Sequence, residues 1–201
     1  MVSKRKKKLS DKEVKSQKRK ELFKELLPLG KSFTLWILLV VIVAWDYTNH
    51  QWFSMAFVHY TTHLSIWISK LFFIPARIIG EGVGTITTIE VNYISVSINN
   101  FPMIIELECS AYHAYLAILA LTVFSPWKLK HKFIGGGIIF ASLSAINSLR
   151  IVGLGIIGRK YPQIFDLMHD YVWNILLVII IWGLWELANK IIAKQNEKIP
   201  A

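Results

Sequence analysis

The chain has 201 residues, of which 54% are hydrophobic and eight are Trp, and its formal net charge at pH 7 is +10. An ordinary soluble domain of this length does not need so much apolar surface. The apolar residues also occur in long blocks, which is typical of helices that cross a bilayer. The single cysteine excludes an intrachain disulfide.

Basic residues are concentrated in residues 1–31, which hold 12 of the 23 Lys and Arg residues and only four acids. A basic run beside an apolar block is typical of a cytoplasmic tail that fixes orientation and rests on anionic lipid. A nucleic-acid-binding tail is the alternative, but we expect no nucleic-acid partner. We do not expect a secretory signal here, because the charged region is long and no small-residue cleavage site follows the apolar stretch.

Residues 32–201 are predicted to form one catalytic domain in the membrane. The first apolar block, 33–49, is short for a span, but Lys31 can snorkel and Trp residues suit its interfaces. The other predicted spans cover residues 111–126, 133–157 and 171–192.

Residues 52–80 combine apolar residues at helical spacing with a second face of Thr and Ser. This pattern suits an interfacial helix, a helix buried in a polar bundle, or an additional span. Both termini and the connection 125–132 are basic, so all three should be cytoplasmic. An even number of crossings follows, which favours four spans with 52–80 in the interface.

Residues 84–108 are predicted to lie outside the hydrocarbon as two short strands. Apolar and polar residues alternate over 94–98, and turn-forming residues at 99–102 precede 103–107. The predicted fold is therefore an all-α integral membrane protein with four to five transmembrane helices. An extracytoplasmic segment resembling a β-hairpin precedes Cys109.

Helix lengths bring Cys109, Arg150 and His169 to one depth, at the outer edge of the bilayer. Cys109 begins the helix that descends about 24 Å to the basic connection, and the next helix rises about 25 Å to Arg150. His169 begins the last helix, about 31 Å from its basic inner end.

Each residue has a structural alternative: a packing thiol for Cys109, a snorkelling anchor for Arg150, and a solvated loop histidine for His169. However, Asn147 lies one turn below Arg150 on the same helix face. Such a pair in an apolar helix is costly unless it faces a polar cavity. The common depth of these groups therefore predicts a site.

These residues suit nucleophilic catalysis by a cysteine and a histidine. Only the thiolate attacks, and a helix N-terminus, Arg150 and a protonated His169 would all favour that form of Cys109. His169 can donate a proton to the leaving amine. The planar fork of Arg150 suits a developing oxyanion or a substrate carboxylate.

Supporting roles are open for three residues near Cys109. His113, four residues later on the same predicted helix face, is either the rival base or a hydrogen-bonded structural histidine. Glu106 and Glu108 either bind a basic feature of the substrate or are solvated. We expect no cofactor.

Asp166 precedes His169 by three residues and either orients its imidazole or caps a helix. His59 and His63 form an i, i+4 pair, but without further ligands nearby we expect no metal site. The glycines of 135–158 are predicted to permit close helix packing.

Three segments resemble the archaeosortase/exosortase family: ECSA at 108–111, AINSLRI at 145–151 and FDLMH at 165–169. They occur in this order on predicted membrane helices, after a strand-like hairpin, and the resemblance covers roughly residues 85–185. Two positions depart from the family. Ala111 stands where Gly is usual, and Tyr171-Val172-Trp173 replace glycines that are common after the histidine.

The resemblance implies a membrane cysteine peptidase or transpeptidase with Cys109, Arg150 and His169 as its catalytic set. The implied partners are C-terminal sorting signals of secreted proteins and an acceptor amine or water, at the outer face of the cell membrane. The alternative is a non-enzymatic subunit for transport or assembly. In that case Asn147 and Arg150 line a polar path and the cysteine only packs.

Overall fold

The computed structural model describes residues 11–86 and 89–197. Residues 1–10 of the basic N-terminal tail, residues 87–88 of the predicted strand segment and residues 198–201 of the basic C-terminus lie outside this part. The described chain is mostly helical with one small sheet. Its helices and strands are α1 (Asp11–Asn49), α2 (Trp52–Leu71), β1 (Ala76–Ile86), β2 (Ile89–Ile98), β3 (Phe101–Ile105), α3 (Tyr112–Phe124), α4 (Leu129–Lys160), α5 (Phe165–Leu167) and α6 (Trp173–Glu197).

Three helical segments are long and apolar enough to cross a membrane: Ser16–Asn49, Leu129–Lys160 and Pro162–Ile192. α3, within the predicted span 111–126, has 13 residues. Its length is about 20 Å, which falls short of a hydrocarbon core of about 30 Å. α3 packs against the longer α1, so the pair forms one layer of the bundle.

α2 turns its polar face inward and its apolar face outward. The buried residues include Ser54, Thr61, Thr62, Ser65 and Ser69, and the exposed ones include Trp52, Phe53, Trp67 and Leu71. A helix on the surface of a soluble protein has the opposite arrangement. This burial matches the helix in a polar bundle that was one of the predicted alternatives.

The sheet is antiparallel with the order β1-β2-β3. β1 is an addition to the two predicted strands, and it begins at Ala76, inside the segment expected to be helical. α2 ends before it because Phe73 has a left-handed φ of 56° and Pro75 follows, which opposes helix continuation. Gly82 and Gly84 lie beneath the Tyr93 ring.

The β2–β3 turn is formed by Asn99 and Asn100, whose φ angles are 54° and 61°. Two left-handed residues in a two-residue loop are typical of a tight hairpin, which agrees with the predicted turn. The hairpin packs on α4. A Cβ added at Gly155 would lie 2.7 Å from the Ile98 side chain, so this glycine permits a close helix–sheet contact.

The α1–α2 connection ties the helices to the sheet. Asp46 at the end of α1 is buried, and its carboxylate accepts hydrogen bonds from the backbone and the hydroxyl of Ser54, both 2.9 Å. Gln51 donates to the carbonyl of Glu90 and accepts from the backbone N–H of Asn92, both 2.8 Å. The sheet is therefore held above one end of the bundle, beside the turn that contains Cys109.

Candidate active site

Cys109 lies in a 3₁₀ turn, Leu107–Ser110, between β3 and α3. Its N–H donates to the carbonyl of Glu106 at 3.0 Å. Ala111 then takes a left-handed conformation, with φ 57° and ψ 28°, and α3 begins only at the following residue. This differs from the prediction that Cys109 opens a helix. The neighbouring side chains, rather than the α3 dipole, are therefore the groups that can activate the thiol.

His169 lies in a π-helical turn, Met168–Val172, just before α6. Its Nε2 is 3.5 Å from Sγ of Cys109, and its Nδ1 is 2.7 Å from Oδ1 of Asp170. The imidazole also stacks on Phe165, with ring centroids 5.9 Å apart. The result is a Cys–His–Asp chain of contacts, the arrangement in which a carboxylate orients the base of a nucleophile.

Asp170 takes the role that the sequence suggested for Asp166. In a regular helix, Asp166 at i−3 would share a face with His169, and Asp170 at i+1 would not. In the structure the imidazole nevertheless contacts Asp170, its neighbour in the chain. Asp166 is exposed and has no hydrogen bond to the imidazole among the described residues.

Arg150 is 2% exposed and carries its charge into the interior of the bundle. Nη1 donates to Oδ1 of Asn147 at 3.5 Å and Nη2 donates to the carbonyl of His169 at 3.4 Å. Both bonds are long, and within the described residues Nε has no partner. No described carboxylate pairs with it. A buried unpaired cation is costly, so the guanidinium is available to an incoming anion.

Asn147 links the arginine to the cysteine. It is fully buried, and its Nδ2 donates to the backbone carbonyl of Cys109 at 3.0 Å while its Oδ1 faces Arg150. The structure thus brings four predicted residues together: Cys109, Asn147, Arg150 and His169.

His113 points away from this group. Its side chain is exposed, its ring lies near that of Trp36, with centroids 6.5 Å apart, and its carbonyl accepts a hydrogen bond from Trp36 Nε1 at 3.1 Å. Among the described residues it has no hydrogen bond to Cys109. Of the two predicted rival bases, His169 is the one that contacts the thiol.

Glu106 and Glu108 lie just before Cys109 in the chain, and Glu108 belongs to the same 3₁₀ turn. Glu108 is exposed and Glu106 is half-buried. Burial raises the pKa of Glu106, the negative charge of Glu108 raises it further, and His169 opposes these effects. The approach to Cys109 therefore has an acidic border.

His59 and His63 stack with ring centroids 6.3 Å apart, and Nδ1 of His59 is 4.0 Å from Oε1 of Glu81. Across the part of the chain that the structure describes, no three His, Cys, Asp or Glu side chains are placed to hold a metal ion.

Buried hydroxyl groups without hydrogen-bond partners were not predicted from the sequence. Within residues 11–86 and 89–197, the hydroxyls of Thr61, Thr62 and Ser69 on α2 and of Ser148 on α4 have no hydrogen-bond partner. The α2 pattern of Thr and Ser signalled a polar face, but not its position between packed helices.

The chain matches no protein-family model, and no curated protein or solved structure is significantly similar to it. The archaeosortase/exosortase resemblance therefore rests on the three short segments quoted above and on their order along the chain.

Proposed function

We propose that this chain is a membrane-embedded cysteine peptidase or transpeptidase of the archaeosortase/exosortase type. The observation that supports this most directly is the contact of Cys109 Sγ with His169 Nε2 at 3.5 Å. The second ring nitrogen contacts Asp170 at 2.7 Å. Acyl transfer through a covalent intermediate requires these components: a nucleophile that contacts a base, and a carboxylate that contacts and orients that base.

The proposed reaction begins when the thiol proton of Cys109 passes to Nε2 of His169 and the sulfur attacks the scissile carbonyl. Arg150 donates hydrogen bonds to the resulting oxyanion. His169 then gives its proton to the leaving amine, and a thioester remains. An acceptor amine or water attacks the thioester and loses a proton to His169, the carbon–sulfur bond breaks, and His169 returns that proton to the Cys109 thiolate.

The proposed substrate is the C-terminal sorting signal of a secreted protein, cleaved at the outer face of the cell membrane. Three helices long enough to cross a bilayer support a membrane location. The basic residues of 1–31 support a cytoplasmic N-terminus that rests on anionic lipid. The even number of crossings that keeps both termini in the cytoplasm then consists of α1, α3 extended by its flanking turns, α4 and α6, with α2 remaining on one side.

The deciding experiment co-expresses the chain with a protein that ends in a short motif, an apolar helix and a basic tail. Cys109→Ala and Cys109→Ser should each abolish its processing while the variant chains stay in the membrane fraction. The matched control is Ser97→Ala, a half-buried strand residue outside the site. Processing that survives either cysteine change rejects the mechanism.

A non-enzymatic membrane subunit is the second candidate, and it is favoured by the unpartnered hydroxyls of Thr61, Thr62 and Ser148 and by the unpaired Nε of Arg150. These groups could line a polar path between α2 and α4. A membrane-impermeant thiol reagent separates the two functions. A pH-dependent reaction of Cys109 supports the enzyme, whereas an inert thiol supports the subunit.

A further inference from the structure

The end of the bundle opposite Cys109 is held together by aromatic contacts between α6 and the α3–α4 connection. Trp127 in that connection donates from Nε1 to Oδ1 of Asn189 at 2.9 Å. Its ring stacks on Trp185, with centroids 4.8 Å apart and planes 21° apart. A Cβ added at Gly135 would lie 2.9 Å from the Trp127 ring. α4 and α6 are therefore fixed relative to each other at this end.

An apolar groove, here named the α4–α6 groove, runs between these helices. Its walls include His131, Ile134 and Ile138 of α4 and Leu187, Ala188 and Ile191 of α6. The free volume is about 140 Å³, similar to a cavity that holds a benzene-sized group. The enclosed part of the groove thus accommodates roughly six carbons of an acyl chain, and the remainder of such a chain would lie along the open side of the groove.

The length of the groove matches one leaflet of a bilayer. On α4 it extends from His131 to Ser142, which is about 16 Å along the helix. The hydrocarbon core of a bilayer is about 30 Å thick. A single acyl chain fits this length, whereas a helix that crosses the membrane would need twice the distance.

At the end of the groove where α4 begins and α6 ends, basic residues are adjacent in sequence to the lining residues His131 and Ile191. Lys128, Lys130 and Lys190 are all exposed, and none forms an ion pair with a carboxylate whose side chain the structure describes. His131 presents a buried Nδ1 without a partner among the described residues. Among the described side chains on the nearby part of α6, Glu186 is the only acidic one, and it is half-buried.

We propose that the α4–α6 groove is a binding site for an anionic phospholipid. One acyl chain lies in the groove, and the phosphate lies against Lys130, Lys190 and His131. The charge of the rim complements an anionic headgroup, as in basic pockets between membrane helices. A zwitterionic lipid carries its own ammonium group, which opposes the same lysines.

This site is separate from the proposed chemistry. His131 lies about 28 Å below Arg150 along α4, so lipid binding and catalysis have different residues and different tests.

The test uses the full chain, purified in detergent and stripped of lipid, with native mass spectrometry of added dioleoyl phosphatidylglycerol or dioleoyl phosphatidylcholine. The wild-type chain should retain one phosphatidylglycerol molecule in preference to phosphatidylcholine. Lys130→Glu with Lys190→Glu should weaken phosphatidylglycerol retention at least about tenfold. Lys70→Glu with Arg77→Glu, at exposed positions outside both the groove and the basic N-terminal tail, makes the same charge change and should retain it.

Ala188→Phe tests the groove itself, because it fills the space without altering charge. It should also remove the retained lipid, whereas Gly137→Phe, at a position with nothing within 4 Å, should not. This pair decides the matter if the charge-reversed chain fails to fold. Equal retention of the two lipids, equal loss in the Lys70 and Arg77 variant, or full competition by glycerol 3-phosphate would overturn the proposal.

Discussion

Cys109 and His169 are 60 residues apart in the chain, yet Sγ of one lies 3.5 Å from Nε2 of the other. Neither residue belongs to a regular α-helix: the cysteine is in a 3₁₀ turn and the histidine in a π-helical turn. Such departures from α-helical geometry are frequent at functional sites. In this chain they direct two side chains from separate elements toward each other.

Replacing His169 should slow the reaction of Cys109 far more than replacing His113. We expect His169→Ala to lower the rate of alkylation by iodoacetamide at pH 7 by about tenfold or more, because the thiol loses its proton acceptor. His113→Ala should change this rate less than about twofold, because its side chain points away from the site. Equal effects of the two changes would contradict the assignment of the base.

Asp170→Asn should impair processing of the co-expressed substrate, whereas Asp166→Asn should leave it nearly intact. The amide at 170 no longer stabilises the protonated imidazole or fixes its tautomer, and the corresponding change in a serine protease triad lowers kcat by about 10⁴. We expect a loss of at least about 100-fold here. The initial rate of substrate cleavage in membranes measures both variants. A larger loss in Asp166→Asn would show that Asp166, and not Asp170, orients the His169 imidazole.

Ala111→Gly should stabilise the chain, since Ala111 has a left-handed φ of 57°. That conformation costs a residue with a Cβ about 1–2 kcal/mol, and part of this gain is offset by the greater freedom of Gly in the unfolded chain. A net gain near 1 kcal/mol corresponds to a rise of about 2–4 °C in Tm.

The matched control for that change is Ala114→Gly, at a buried position inside α3. The same substitution there should lower Tm by a similar amount, because Gly is about 1 kcal/mol less favourable in a helix interior. If both variants lose stability in detergent, the left-handed conformation at residue 111 does not explain why glycine is usual at this position in the archaeosortase/exosortase family.

Glu106 should make stability depend on pH. Its pKa in the folded chain is raised above the ordinary value of 4.5 by burial and by Glu108. The folded state therefore binds the proton more tightly than the unfolded state, and stability falls as the pH rises from that value through the raised pKa. Glu106→Gln should flatten this fall in a series of Tm measurements from about pH 4 to 8.

Glu108→Gln should have a smaller effect in the same direction, because it removes only the second cause of the raised pKa. An unchanged pH profile in the Glu106 variant would show that another group controls the titration.

The depth of the site residues in the bilayer could be predicted from the sequence, because the helix rise per residue is nearly constant. This arithmetic grouped Cys109, Arg150 and His169, and Asn147 followed from its spacing to the arginine. Asp170 was not accessible in this way. Nothing in the composition of 168–172 signals a π-helical turn, and in a regular helix adjacent residues do not face each other.

β1 was missed for a different reason. Strands are recognised by alternating apolar side chains, but Gly82 and Gly84 have no side chain to show the pattern. The Tyr93 ring of β2 covers both glycines, and this cross-strand contact depends on the pairing register of the two strands. Sequence separation hides such a partner, whereas the Asn99-Asn100 turn is a local signal and was predicted.

The π-helical turn at Met168–Val172 also has a consequence for the tolerance of this region to insertion and deletion. Such a turn contains one residue more than an α-helical turn, so the residues before and after it are out of phase by about 100° relative to an unbroken helix. The inward direction of His169 and the outward apolar side of α6 are thereby set independently. Loss of a single residue here would restore helical phase and force one of these two surfaces to rotate away from its environment.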